Sequence, residues 1–173
     1  MSCHIKNIVK GAFYHLRNIA KIRKYINTAT AEVLVHSFVS SKFDFCNSLL
    51  YGLPKYEINK LQSVLNAAAR VIACLRKFDH VTNTLKELHW LPVEQRIIFK
   101  INLVCFKVLN DLAPSYLTEL LQRVYEPTRR LRSSSDKWRF AIEPYNLKTC
   151  GLRAFSIIAP RLWNDLPKDG FLK

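Results

Sequence analysis

Residues 88–101 read LHWLPVEQRIIFKI, and the parsing of this stretch decides the architecture. Pro92 suits the first helical position and Glu94 the first turn, where the helix dipole favours an acid. From 97 to 112 nearly every face is apolar, interrupted only by Lys100, Asn102, Lys107, Asn110 and Asp111. Such a helix is expected at the centre of a bundle. Trp90 and Leu91 are placed to pack on its first turn, as in a hydrophobic staple. Charges at Glu94, Arg96 and Lys100 exclude a membrane entry, which leaves a helix-entry corner.

Working outward, the pattern stays helical. Ile5, Ile8, Val9, Ala12, Phe13, Leu16, Ile19 and Ala20 recur at three- and four-residue steps over residues 4–26. Lys6, Lys10, Arg17, Lys21 and Lys24 fall on the opposite face, within roughly 60° of one another at about 100° per residue. No acid precedes Glu32, so the stripe has no counter-charge nearby in sequence. Asn27 or Thr28 caps a second helix running towards Leu49. Gly52 and Pro54 stop it, with Pro54 at the first position of a helix over 54–76. The triplet Ala67, Ala68 and Ala69 allows a neighbouring helix to approach closely. Residues 77–80 form a link, and Thr84 and Glu87 have capping-box spacing. After the 92–112 helix, Ala113 and Pro114 break the run before a short helix over 115–124.

Residues 125–150 change character, with two prolines, a serine run at 133–135 and five cations between 129 and 139: Arg129, Arg130, Arg132, Lys137 and Arg139. This reads as a basic linker with a short extended piece at 138–142. Residues 152–166 regain apolar periodicity, although Pro160 should kink or divide any helix there. The expected architecture is all-α: an irregular bundle of five or six helices over 1–124, the linker at 125–150, and a short C-terminal helical segment and tail at 151–173.

Of 173 residues, 27 are Lys or Arg and 13 Asp or Glu, a net charge of +14. Such a surface selects a polyanion, nucleic acid first and an acidic membrane second. The five cysteines are scattered, three of them within apolar helical patterns, so a reducing, intracellular compartment and no disulfide framework are expected. The first residues carry charge where a signal peptide has its apolar core. No run reaches about 18 uncharged apolar residues, so no membrane span is expected.

Catalysis is tested by what it requires. Two-metal nucleotidyl transfer needs clustered carboxylates, and the aspartates at 44, 79, 111, 136, 165 and 169 are dispersed. There is no Walker loop, nucleophile elbow, H-E-x-x-H or C-x-x-C. Cys74, His80 and His89, with Cys3 and His4, match no zinc spacing. Cys74 reads as core and the two histidines as turn residues. No catalytic residue, metal, cofactor or small-molecule substrate is expected. The candidate site is nucleic-acid binding, on two surfaces. One is the lysine stripe. The other is the linker, whose arginines and serines suit phosphates and whose Trp138 suits an unpaired base.

FYHLRNIAKIR (13–23), FDFCNSLLYGLPKYEINKLQSVLNAAARVI (43–72), RKFDHVTNTLKELHWLPVEQRIIFKI (76–101) and LNDLAPSYLTELL (109–121) occur in that order, followed by RLRSSS (130–135), LKTCGLRAF (147–155) and APRLWNDLP (159–167). Together they resemble the C-terminal part of the reverse transcriptase polyprotein of LINE-type, non-LTR retrotransposons of the jockey-like group. CNSLLYGLP and ELHWLPVEQRI are the specific elements, and the similarity runs from about residue 4 to 167. In that family the palm with its catalytic aspartates lies upstream. The resemblance therefore implies a thumb-like helical region that binds RNA or an RNA–DNA hybrid, associates with a retroelement polymerase and makes no DNA itself. Leu152 stands where an acid is usual, and KDGFLK departs from the family pattern. Both departures suggest a truncated or decayed copy. The alternatives are a remnant without a role and a helical protein-interaction module.

Overall fold

In a computed structural model, residues 1–122, 139–144 and 151–167 are described. The fold is all-α, with no strand among the described residues. Helices α1 (Ser2–Ile22), α2 (Thr28–Val35), α3 (Ser41–Asp44), α4 (Lys55–Ile72), α5 (Thr82–Glu87), α6 (Val93–Leu109), α7 (Ser115–Leu120) and α8 (Phe155–Asn164) follow in order. The chain divides into two compact units, Met1–Ile97 and Ile98–Lys173.

The first unit is organised by α1 and α4. Ile5, Ala12, Leu16 and Ile19 of α1 are buried, as are Leu61, Val64, Leu65, Ala68, Ala69 and Ile72 of α4. The fully buried Ala12, Ala68 and Ala69 leave little side chain to hold the backbones apart. The helices run parallel. Ser2 of α1 hydrogen-bonds the Glu57 carboxylate near the start of α4, and Arg23, just after α1, reaches the carbonyl of Ile72 at the end of α4 (2.7 Å).

The second helix starts as expected: the Asn27 side chain accepts from the Thr30 N–H at 2.7 Å. It does not run on to Leu49. α2 gives way to a π-helical segment (His36–Ser40), then α3, then a 3-10 turn (Asn47–Leu50). Ser37 and Ser41 turn their hydroxyls back onto the carbonyls of Val33 and Ser37 (2.8 and 2.6 Å), a bond that competes with the helix ladder and bends it. Cys46, in the left-handed region (φ 51°), completes the break.

Pro54 and Pro92 sit one place earlier than expected. Their carbonyls accept the first helical N–H groups, from Glu57 (2.9 Å) and Arg96 (2.9 Å), and the helices begin at Lys55 and Val93. At the α6 entry Trp90 is buried, its ring centroid 5.3 Å from that of His36 in an edge-on contact, whereas Leu91 is exposed and does not pack as expected. Thr84 is buried inside α5, which has no side-chain cap, so the capping box does not form.

α6 is one-sided rather than apolar-buried all round. Val93, Ile97, Ile101, Cys105 and Val108 form a single buried stripe, while Phe99 and Phe106 are exposed. In the second unit the Cys105 thiol donates to the Ala159 carbonyl (3.5 Å), and burial raises its pKa to about 12. α8 continues through Pro160, which is buried within it. Asn164 holds the extended Phe140 by accepting from its N–H (3.2 Å) and donating to its carbonyl (3.0 Å).

α4, α5 and α6 end on Cys74, His89 and Asp111, all with positive φ. Beyond each, an N–H reaches back five residues: Leu75 to Arg70, Trp90 to Leu85 and Leu112 to Lys107, at 2.8–2.9 Å. These are Schellman ends built without glycine. Cys74 is therefore an exposed helix terminator and not the core residue its apolar surroundings predict.

Candidate nucleic-acid interface

A cation array needs exposure and freedom from counter-ions, and α1 supplies both over most of its length. Lys6, Lys10, Arg17 and Lys21 project from α1 and Lys24 from the 3-10 turn after it (Arg23–Tyr25), all exposed. Among the described residues none of Lys10, Arg17, Lys21 or Lys24 forms an ion pair with an acid.

Lys6 differs. Folding brings it near Glu57 of α4, so the expectation of a wholly uncompensated stripe fails at this end. The Glu57 side chain is buried and takes a 3.0 Å bond from Lys60 Nζ. That bond holds its pKa below the ordinary value. Burial opposes the shift, and Ser2 and the charges of Lys60 and Lys6 reinforce it.

Towards the other end α1 and α4 border an open groove of about 680 Å³, lined by the α1 side (Phe13, Ala20, Arg23, Lys24), the α4 side (Ser63, Ala67, Arg70, Val71) and the chain that follows (Cys74, Leu75, Lys77). Phe13 and Ala20, predicted as core from their periodicity, are exposed. Four lining residues are cations and none is an acid.

The cations are not equivalent. Arg23 is committed to structure: its guanidinium donates to the carbonyls of Val71 (3.2 Å), Ile72 (2.7 Å) and Ile26 (2.8 Å) and to Thr28 Oγ1 (3.0 Å). Its charge sits at the negative end of the α4 dipole. Arg70 donates to the Asp79 carbonyl (3.2 and 3.3 Å). The Asp79 carboxylate is engaged with the Arg76 N–H (2.8 Å). Lys24 and Lys77 lie over the rings of the next residues, Tyr25 and Phe78, with Nζ 4.8 and 5.4 Å from the centroids.

The stripe was readable because four of its five positions share α1, and Lys24 follows in the 3-10 turn directly after it, short of the helix expected to residue 26. Arg23, Arg70 and Lys77 were missed. The signal for Arg70 was the spacing Ser63, Ala67, Arg70, Val71, Cys74, a helical stripe of small or polar residues where a buried face carries bulk. Arg129, Arg130, Arg132 and Lys137, with Trp138, lie outside the described residues. Arg139 is exposed and belongs to the second unit.

Within the first unit the 43–72 and 76–101 stretches meet. Arg96 Nε lies 3.2 Å from Asp44 Oδ1, and its guanidinium carbon 5.6 Å from the Phe43 centroid. Gln62 of α4 accepts the Val93 N–H (2.9 Å), supplying α6 with a cap from a distant helix. Among the described residues no group of three His, Cys, Asp or Glu is placed to hold a metal, and no helix is long and apolar enough to cross a membrane. No protein-family model, curated protein or solved structure matches the chain.

Proposed function

We propose that this chain is a non-catalytic, RNA/DNA-binding part of a LINE-type reverse transcriptase, contacting template–primer through the exposed face of α1 and working beside a polymerase palm. The observation that carries the reading is the run Lys10, Arg17, Lys21 and Lys24, exposed and without an acidic partner among the described residues. Between Met1 and Ile97 fourteen Lys and Arg accompany six Asp and Glu. Of those acids Asp44, Glu57 and Asp79 have partners away from the α1 stripe beyond Lys6. The resemblance of the 43–72 and 76–101 stretches to the family supplies the polymerase context.

A salt-series titration with an RNA–DNA hybrid tests it. Each phosphate contact contributes roughly 0.7–0.9 to the slope of log K against log salt. Neutralising Lys10, Arg17 and Lys21 together should make the slope shallower by roughly 2 to 3. No binding near physiological salt ends the reading, and primer extension by the isolated chain would overturn its non-catalytic part. A second reading, a helical protein-interaction module, draws on Val33, Phe45 and Leu49, large apolar side chains left exposed in the first unit.

A further inference from the structure

Two features of the α1–α4 groove are not explained by a grip on duplex phosphates. Its floor is apolar, with Phe13, Ala20, Ala67, Val71 and Leu75 facing an open space. At the end where Arg23 closes onto α4, Tyr25 and Phe78 are 77% and 87% exposed and contribute almost nothing to the core. Each follows directly on a lining lysine that lies over its ring. A duplex keeps its base faces stacked inside and offers phosphates and groove edges, for which cations suffice. An unpaired strand offers bases as well, and these stack on exposed aromatic rings beside a cationic track. A lysine on one ring face leaves the other face for a base. A volume of about 680 Å³ also lies within the roughly 300–1,000 Å³ of clefts that enclose small organic groups.

We infer that the groove between α1 and α4 holds an unpaired nucleic-acid strand, with bases against its apolar floor and on Tyr25 and Phe78, and phosphates on Lys24, Lys77 and the free side of Arg70. The inference rests on the nucleic-acid reading above and goes beyond it by assigning a second surface and a preference for single strands. Charge selects the occupant: a lining with four cations and no acid disfavours a basic peptide and favours a polyanion. The exposed rings favour a strand over an acidic helix, whose side chains have no base to stack.

Cys74 provides the readout, because its exposed thiol lines the groove, while Cys3 and Cys46, also exposed, do not. The full chain is titrated with an unstructured oligopyrimidine and with the same strand annealed to its complement. Alkylation of each cysteine is followed by peptide mass spectrometry. The single strand should slow alkylation of Cys74 several-fold and leave Cys3 and Cys46 unchanged. Tyr25→Ala and Phe78→Ala, at positions too exposed to disturb folding, should each weaken single-strand binding roughly tenfold and leave duplex binding unchanged. If hybrid binding depends on Lys10, Arg17 and Lys21 while Cys74 stays reactive and both aromatic variants bind normally, the groove assignment falls and the duplex reading stands. If no nucleic acid binds, both fall. Protection of Cys74 by an acidic amphipathic peptide but not by the oligonucleotide overturns the assignment in favour of a protein partner.

Discussion

At one end of the α1–α4 pair, Glu57 is buried with Ser2 and Lys60 bound to its carboxylate and Lys6 nearby. Towards the other end Lys24, Arg70 and Lys77 line an open groove beside the same helices, with no acid among them. The difference comes from which residue of α4 faces α1. A single carboxylate neutralises and closes the first end. At the second, small side chains leave space on the exposed side, and Arg23 ties the helix ends together through donors on the carbonyls of Val71, Ile72 and Ile26. One pair of helices thus combines a structural, charge-balanced end with a cationic surface suited to an anion.

The strongest way to break this contrast is at the tie. Arg23→Met removes charge-assisted bonds to Val71, Ile72, Ile26 and Thr28, and should lower stability by about 3 kcal/mol in urea denaturation. An unchanged midpoint would mean that the groove end is not held by this residue. Next, two neighbours in the alanine triplet should respond differently. Ala68→Leu overfills the contact and should cost about 2 kcal/mol, whereas Ala67→Leu, pointing into the groove, should change stability by less than about 0.5 kcal/mol. Equal effects would contradict the placement of Ala68 in the helix contact and Ala67 on the groove.

The balanced end is tested by acid. Because the Glu57 carboxyl ionises below its ordinary value of 4.5 when folded, its contribution is complete above that pH and is lost as pH falls through the folded value. Glu57→Gln should flatten the acid limb of a stability–pH curve and leave the groove's ligand affinity unaltered. The smallest expected effect is at Cys74, whose left-handed conformation suits glycine. Cys74→Gly should stabilise by roughly 0.5–1 kcal/mol, read as a raised urea midpoint at constant slope.

The basic stripe was legible because Lys10, Arg17 and Lys21 sit on one helix whose period relates them without reference to anything else. The groove was not. Phe13 and Ala20 obey the same periodicity as Leu16 and Ile19, and a pattern does not say where a neighbouring helix ends its cover. The break after Val35 was hidden for a similar reason: Ser37 and Ser41 are ordinary helix residues until their hydroxyls turn back onto carbonyls. Cys74 misled because an apolar neighbourhood in sequence says nothing of a helix end without glycine.

The sequence by itself determined the all-α class, the amphipathic α1 with its cations, a cap at Asn27 or Thr28 and the proline-marked corner at Trp90. These depend on hydrogen bonds and periodicities spanning a few residues. Only the tertiary structure decided that Glu57 compensates Lys6, that Arg23 ends α4, that Gln62 caps α6 and that Asp44 meets Arg96. Those partners lie about thirty to fifty residues apart. Whether they meet depends on how far each helix extends and which face it turns, and so does the space left open for a ligand.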